Sequence, residues 1–592
     1  MDWAPRTDLL AQAEAARRDG NPLAVHDLAQ RAIAAGRTEV RFRYLRALAS
    51  AQMGDTEQAE RLYQSDRLGL ATADEDCLAL RGRLHKDRAL SANGDERHRR
   101  FEAASEACLQ AYAARGGYFP AINAATMAWA AERHSRAVEL AGEVLRHPDL
   151  NPARDFYAAA SRAEALTLLG RGAEAVAALG EGLRAGRVGL GNRASTCRQL
   201  AWLAPSTSLD TSERQALLDA VRPPPVIAFT GQMFHADGEA EMALAEQVDR
   251  QIDTLGSVIA YGSLACGSEI LVAEAILRRS GELQVVLPCG VDDFVRAFVS
   301  PGGAGWSERF CQCLDRAANV TRATRMEHLA HPSQRAYGSQ MARGLAQLRA
   351  GQLATTAIQL AIWDGSPAAG DVGVASDVSA WRNQGLRAIV IDPGPLDLSV
   401  EAAAPVSSGE DVKRVSRAII FTDYKAYSHL QESVIPTFNH EIMGRIGKVL
   451  ERFEPAILSR NTWGDAFHAI IADAVTAAEV TLVIAEALRG VRIGDPTQAD
   501  QEGMRIGLHY GPIYEDTDLI TGCLTFYGSE ITLAARIEPE VIPGEIYTTQ
   551  AFAAILATQA PDRYATRYLG KRELAKGYGE APIYQLERRI KT

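Results

Sequence analysis

Ile419-Ile420-Phe421-Thr422-Asp423-Tyr424, then Asn461-Thr462-Trp463-Gly464-Asp465-Ala466-Phe467, then Arg505-Ile506-Gly507-Leu508-His509-Tyr510-Gly511-Pro512 decide the fold of the last third of this chain. The first is an apolar run ending in an acid, the pattern of a buried strand with a carboxylate at its end. In the second, Gly464-Asp465 reads as a hairpin turn carrying a second acid and leading into another strand. Residues 433–454, between these two, have the apolar spacing of a helix. Two carboxylates at strand ends can hold a pair of magnesium or manganese ions. One such ion lowers the pKa of an attacking hydroxyl, and the other neutralises phosphate charge. Displacement at phosphorus also needs positive charge beside the developing negative charge. Arg536 and Lys576 are basic residues in the same stretch of chain.

Working outward, residues 396–412 are rich in Ala, Pro, Ser and acids and read as a linker. Before them strands alternate with helices, the pattern of a parallel sheet with helices on both faces. Strands are expected at 226–229, 257–261, 283–287, 356–363 and 388–391, with helices at 240–255 and 268–279. The loop Gly262-Ser263-Leu264-Ala265-Cys266-Gly267-Ser268-Glu269 follows one strand and opens a helix. Glycines there admit a ligand close to the backbone, and the helix start favours an anion. It is neither a Walker A loop, since Lys does not follow Gly267, nor a strict G-x-G-x-x-G. A second cluster, Trp363-Asp364-Gly365 with Gly370 and Gly373, ends another strand. The same glycines also serve simple tight turns.

Pro223-Pro224-Pro225 bars any helix from continuing across it. Residues 1–222 before it read as helices separated by short Gly turns, at Arg18-Asp19-Gly20-Asn21-Pro22, Met53-Gly54-Asp55-Thr56 and Leu169-Gly170-Arg171-Gly172. Gly20 and Gly54 stand 34 residues apart, and each precedes a helix with a small residue, Ala24 or Ala59, where two helices would cross. A helical array of this period serves either as a concave surface for a protein partner or as a structural element.

The chain has 592 residues, 47% hydrophobic and 23% charged, enough for about three or four domains. Its formal net charge of −11 disfavours non-specific nucleic-acid binding by the whole chain. Eight scattered cysteines, with only Cys311 and Cys313 close together, fit reduced thiols in the cytoplasm better than a zinc site. No apolar run reaches the ~18–20 residues of a membrane helix, and the acidic start at Asp2 and Asp8 is unlike a signal peptide.

Three resemblances follow. The 34-residue period with small crossing residues resembles tetratricopeptide repeats, without most of that family's Trp, Tyr and Pro positions. The two glycine loops resemble the Rossmann-like nucleotide-sensing domains of the SLOG and TIR-like groups. That resemblance implies a nucleotide-like ligand near Gly262, Ser263, Gly267, Ser268, Glu269, Asp364 and Gly365, with cleavage of such a ligand by Glu269 as an alternative. The last third resembles the class III adenylate and guanylate cyclase catalytic domain, with its F-T-D, G-D, R-I-G-x-H-x-G, A-A-R-x-E and K-G elements in order at Phe421–Asp423, Gly464–Asp465, Arg505–Gly511, Ala534–Glu538 and Lys576–Gly577. The expected architecture is thus an all-α repeat solenoid (1–222), an α/β doubly wound parallel sheet (226–395), the linker, and an α+β ferredoxin-like cyclase domain (413–592).

The cyclase resemblance implies that Asp423, Asp465 and the Tyr424 carbonyl hold two Mg2+ or Mn2+ ions. It implies that Arg536 stabilises the transition state and Lys576 grips the terminal phosphates of a nucleoside triphosphate. It also implies a homodimer with shared sites. This chain departs from the family where the base is read, with Asn461 and Thr525 in place of a selective pair, and Thr532 stands where an Asn usually lies. An amide and a hydroxyl both donate and accept, so they fix no base. ATP is ranked first, pyrimidine triphosphates next, as in bacterial pyrimidine cyclases of antiviral signalling, and GTP last. A degenerate nucleotide-sensing scaffold is the remaining alternative.

Overall fold

A computed structural model of the chain describes residues 8–589 except 72–73, 187, 326, 328–330, 368–371, 404–411, 426 and 494–501. The chain divides into two compact units, Met1–Pro223 with Gly351–Thr355, and Pro224–Ala350 with Thr356–Thr592.

The first unit is helical, from Leu9–Arg18 and Pro22–Ala34 through to Thr211–Val221. The Gly turns start these helices for local reasons. Gly20 and Gly54 adopt φ of 68° and 88°, a conformation that costs glycine little. The next residues cap the following helix: Asn21 accepts from the Ala24 amide at 3.1 Å, and Asp55 from the Gln58 amide at 2.9 Å. Pro22 occupies the first helical position, where no amide is needed. Ala59 is fully buried, as a helix crossing requires, whereas Ala24 is only half-buried.

The second unit holds two sheets. The first contains β1 (Val226–Gly231), β2 (Ile259–Gly262), β3 (Glu282–Leu287), β4 (Asn319–Arg322), β5 (Ala357–Ile362) and β6 (Ala388–Ile391), all parallel in the order β4-β3-β2-β1-β5-β6. β1 and β5 are buried along their whole length, as expected for strands covered on both faces. β4 is the strand the sequence did not announce: it is an edge, largely exposed, with only Val320 and Thr321 to suggest it. Residues 396–403, expected as the start of a linker, instead lie on this domain. Leu396 and Val400 are buried in its core and the Ala403 amide donates to the Ala297 carbonyl at 3.0 Å. Two apolar side chains outweigh the loop-like composition around them. Most of the remaining linker, 404–411, is outside the described residues.

The second sheet contains β7 (Arg414–Lys425), β8 (Ile457–Trp463), β9 (Ala466–Ile471), β10 (Gly503–Thr517), β11 (Leu524–Tyr527), β12 (Ile546–Thr549), β13 (Tyr564–Leu574) and β14 (Gly579–Arg588). Its order is β13-β14-β12-β10-β7-β9-β8, with β11 paired to β10. The long helix expected between β7 and β8 is interrupted: Ile435–Phe438 passes through a π turn, Asn439–Met443, into Gly444–Glu451.

Candidate active site

The central antiparallel pair β7–β10 builds the site. Asp423 of β7 lies opposite Arg505 of β10, so their side chains share one face of the sheet. Thr422, on the opposite face, ties β7 to β9 by donating to the Phe467 carbonyl and accepting from the Phe467 amide, both at 3.1 Å. That bridge fixes the Gly464-Asp465 turn, where Gly464 has φ of 68°, beside Asp423.

Arg505, Gly507, His509 and Gly511 alternate along one face of β10. Helix Ser529–Ile537 lies over that face. Arg505 pairs with Asp423, and its Nε is 2.8 Å from Glu538 Oε1. A Cβ on Gly507 would stand 3.0 Å from the Glu538 amide, and one on Gly511 would stand 2.9 Å from Glu530 Cγ. Between them buried His509 meets Glu530 at 2.8 Å and Thr549 at 2.9 Å. The R-I-G-L-H-Y-G motif is thus the seat of a helix: two glycines make room and two polar residues fix its register.

Asp423, Asp465 and Glu538 share one arginine. Burial, and then the Asp423 charge, raise the Asp465 pKa. Glu538 is pushed up to about 7, by burial first and by Asp423 and Asp465 against the opposing pull of Arg505. Carboxylates held this close without equal positive charge are a place for a cation. The oxygen-only donor set suits Mg2+ or Mn2+. Among the described residues no group of three or more His, Cys, Asp or Glu could hold a metal. Two carboxylates and a backbone carbonyl are the groups that could hold an ion here, together with oxygens from a ligand, the way Mg2+ is commonly held. The Tyr424 side chain is buried against Phe438, ring centroids 5.0 Å apart, leaving its carbonyl as the relevant group.

Thr532 and Arg536 stand one helical turn apart on Ser529–Ile537, so they share a face. Thr532 is exposed, and Arg536 has no ion-pair partner among the described residues. Lys576 is exposed on the turn between β13 and β14 and adopts φ of 62°. Tyr578, two residues on, is held by Arg325, whose guanidinium stands 4.3 Å over its ring and donates to its carbonyl at 2.7 Å. Within one chain the acids are assembled, while Arg536 and Lys576 are paired with none of them among the described residues.

Asn461 is exposed on β8, opposite His468 of β9. Thr525 lies on β11, whose Phe526 joins the same apolar cluster as Leu458 of β8. Sequence reasoning missed His468. It is 7% exposed, both ring nitrogens lack partners, and its ring is 4.7 Å from that of Phe421. Burial lowers its pKa to about 4, so the imidazole is neutral at ordinary pH. A polar residue inside an apolar-patterned strand is the signal that could have found it. Arg505 and Glu538 were quoted within motifs but given no role; their charge, opposite a strand-end acid, was the available clue.

In the parallel sheet, Gly262, Ser263 and Glu269 line a cavity, but Gly267 and Ser268 do not. A Cβ on Gly267 would meet the Phe234 ring at 2.6 Å, and Ser268 packs on Gly231, so both serve close packing. Asp364 and Gly365 also lie elsewhere. Asp364 closes a turn, accepting from the Ser366 amide at 2.9 Å and from Gln232 at 3.0 Å. Gly373 lines the cavity, and Gly370 is outside the described residues. Among the described residues no helix is long and apolar enough to cross a membrane, and all eight cysteines are free thiols.

Residues 412–588 match the family model described as the adenylate and guanylate cyclase catalytic domain. Residues 21–128 match the one described as Tetratricopeptide Repeats-Sensor. No curated protein matches the chain. Similar solved structures include the guanylate cyclase domain of RhGC from Catenaria anguillulae in complex with GTP, at 19% identity over 30% of this chain and all of that one, with a TM-score of 0.25. The catalytic core of a rhodopsin-guanylyl cyclase with converted specificity, in complex with ATPαS, shares 18% identity over 30% of this chain and all of that one, with a TM-score of 0.25. The adenylyl cyclase CyaB from P. aeruginosa shares 15% over 31% of this chain and 98% of that one, with a TM-score of 0.26.

Proposed function

We propose, from a carboxy-terminal domain of the adenylate and guanylate cyclase type preceded by tetratricopeptide-like repeats, that this protein is a nucleotide cyclase. It converts a nucleoside triphosphate, with ATP favoured, to a 3′,5′-cyclic mononucleotide and pyrophosphate. The observation that carries this reading is the cluster of Asp423, Asp465 and Glu538 around the single guanidinium of Arg505.

Asp423, Asp465 and the Tyr424 carbonyl would hold two Mg2+ or Mn2+ ions. Bound there, such ions would acidify the ribose 3′-hydroxyl and neutralise phosphate charge. The 3′-oxygen forms a bond to the α-phosphorus as the bond to pyrophosphate breaks, and the hydroxyl proton leaves to solvent. With Asp423 engaged by a cation, Arg505 would be free to hold a phosphate oxygen, since a guanidinium binds either anion through the same fork. Arg536 supplies positive charge to the α-phosphoryl oxygens, and Lys576 grips the terminal phosphates. The Thr532 hydroxyl stands on the same face as Arg536 to orient the ribose or phosphate.

The separation of Arg536 and Lys576 from the acids supports a homodimer in which each copy completes the other's site. Asn461 and Thr525 meet the base. Neither charge is fixed there, which favours a site tolerant of base edges and keeps a pyrimidine triphosphate as the second reading. The helical repeats present a surface for a protein partner that regulates the cyclase. The test is turnover of each triphosphate by the full chain and by Asp465→Ala. The reading fails if a folded Asp465→Ala protein forms cyclic product at the wild-type rate.

A further inference from the structure

Lys576, which the cyclase reading puts on the terminal phosphates, sits in a turn that its own sequence does not hold. Ala575-Lys576-Gly577-Tyr578 joins β13 to β14, with Leu574 opposite Gly579. Three residues here have positive φ: Lys576 at 62°, Gly577 at 68° and Gly579 at 87°. Glycine adopts that conformation at little cost. Lysine does not, because its Cβ crowds the following carbonyl oxygen. A residue with a side chain keeps such a backbone only where its surroundings fix it.

The fixing comes through Tyr578. Its ring packs on the apolar cluster that contains Ile537, Leu574 and Ile583. Its hydroxyl stands 3.5 Å from the carbonyl oxygen of Ser529, the first residue of the helix that bears Thr532 and Arg536. Arg325 covers the same ring. Its guanidinium stands 4.3 Å from the ring centroid and donates to the Tyr578 carbonyl at 2.7 Å. A cation over a ring and an N–H on the carbonyl hold the side chain and the backbone of one residue together.

Arg325 belongs to the parallel sheet's domain, just past β4, and it follows a residue that is locked in place. Thr324 is 1% exposed. Its hydroxyl donates to the Pro288 carbonyl at 2.8 Å and accepts from Gln334 Nε2 at 3.0 Å. Gln334 lies on helix Pro332–Gln352. From that helix the Tyr337 hydroxyl donates to the Tyr510 carbonyl of β10 at 2.8 Å. The domain of the parallel sheet is thus fastened to β10 of the mixed sheet, and from that base Arg325 reaches the β13–β14 turn.

We propose that Arg325 is a positioning residue for the phosphate-binding turn: it clamps Tyr578, and so holds Lys576 where it meets the terminal phosphates of the triphosphate. The domain that precedes the cyclase-type domain thereby completes part of its site. A change at the carboxyl end of β4 reaches the substrate through one side chain. The role of Lys576 rests on the cyclase reading; the clamp does not.

The experiment pairs limited trypsin digestion of the full chain with steady-state kinetics on ATP, GTP, CTP and UTP in turn. Mass spectrometry reads cleavage at the Lys576–Gly577 bond. Arg325→Ala should be cut there about fivefold faster or more, because cleavage follows the population of the open turn. Its KM for the triphosphate should rise about three- to tenfold with kcat within about twofold, the mark of lost uniform binding. Added to Lys576→Ala, the same substitution should change KM by less than about twofold, since the two residues act as one unit. Arg325→Lys should recover part of the grip, because an ammonium can still sit over the ring. Circular dichroism verifies folding of each variant. Unchanged cleavage in Arg325→Ala overturns the proposal. So does an equal rise in KM with and without Lys576, and so does a fall in kcat at constant KM. Absence of cyclic product from all four triphosphates with the unaltered chain would count against the cyclase reading alone, and the digestion would still decide whether Arg325 holds the turn.

Discussion

Both sheets of the second unit have acids beside them, on strand ends or on the helices that follow, and they treat them in opposite ways. Around the parallel sheet, Asp377 is paired with an arginine and two hydroxyls, and Glu269 accepts a hydroxyl and an amide. In the mixed sheet, Asp423, Asp465 and Glu538 crowd around Arg505, and burial first, then the neighbouring carboxylates, raise the pKa of Asp465 and Glu538. Satisfied acids set a local geometry, whereas acids short of counter-charge have room for a cation. Sequence alone made both look like sites; partner count separates them.

The sharpest way to break this contrast is to remove one acid from each sheet. Asp465→Ala should lower turnover by about 10³-fold or more, because it removes a metal ligand. Asp364→Asn, which only disturbs a turn, should leave turnover within about twofold. Equal effects in a rate assay would erase the distinction. Arg536→Ala should lower kcat by about 10²–10³-fold with little change in KM, the mark of an interaction made only in the transition state. A rise in KM alone would move Arg536 to ground-state binding.

His468 offers an effect on stability. Its folded-state pKa of about 4 lies below the 6.5 of an ordinary histidine. The stability it confers is present above about pH 6.5 and is lost as pH falls toward about 4, because the unfolded chain takes up the proton first. At about 1.4 kcal/mol per pKa unit the loss is at most about 3 kcal/mol. His468→Phe should flatten that acid limb in urea unfolding at pH 7 and pH 4.5; an unchanged limb would mean the ring titrates normally. The smallest expected effect is that of Tyr337→Phe, about 1 kcal/mol for one hydrogen bond. If the two sheets unfold together, the loss displaces one transition. Two separate transitions would show that the Tyr337–Tyr510 contact does not couple them.

The cyclase-type segment was legible because its motifs are local. A strand-end acid, a Gly-Asp hairpin and alternate glycines on β10 each follow from short-range backbone needs, and Gly507 and Gly511 show why those positions are glycine. The five buried or half-buried strands of the parallel sheet were legible for the same reason, and exposed β4 was not. Groups whose meaning depends on distant partners escaped. Glu538 acquires its raised pKa only when helix Ser529–Ile537 buries it beside Asp423 and Asp465, and His468 its lowered one only when β7 and β8 bury it. Gly267 and Ser268 looked like a ligand cradle, yet Phe234 and Gly231 fill the space beside them. Leu396 and Val400 went unread because two apolar residues in a loop-like stretch give no periodic signal.

The most direct test of the central claim is product analysis by mass spectrometry. The full chain, and Asp465→Ala as its control, would be incubated separately with ATP, GTP, CTP and UTP in Mg2+ or Mn2+. A 3′,5′-cyclic mononucleotide and pyrophosphate should form, from ATP first, and only with the unaltered chain. Folded protein that makes no cyclic product from any of the four, with either metal, would contradict it.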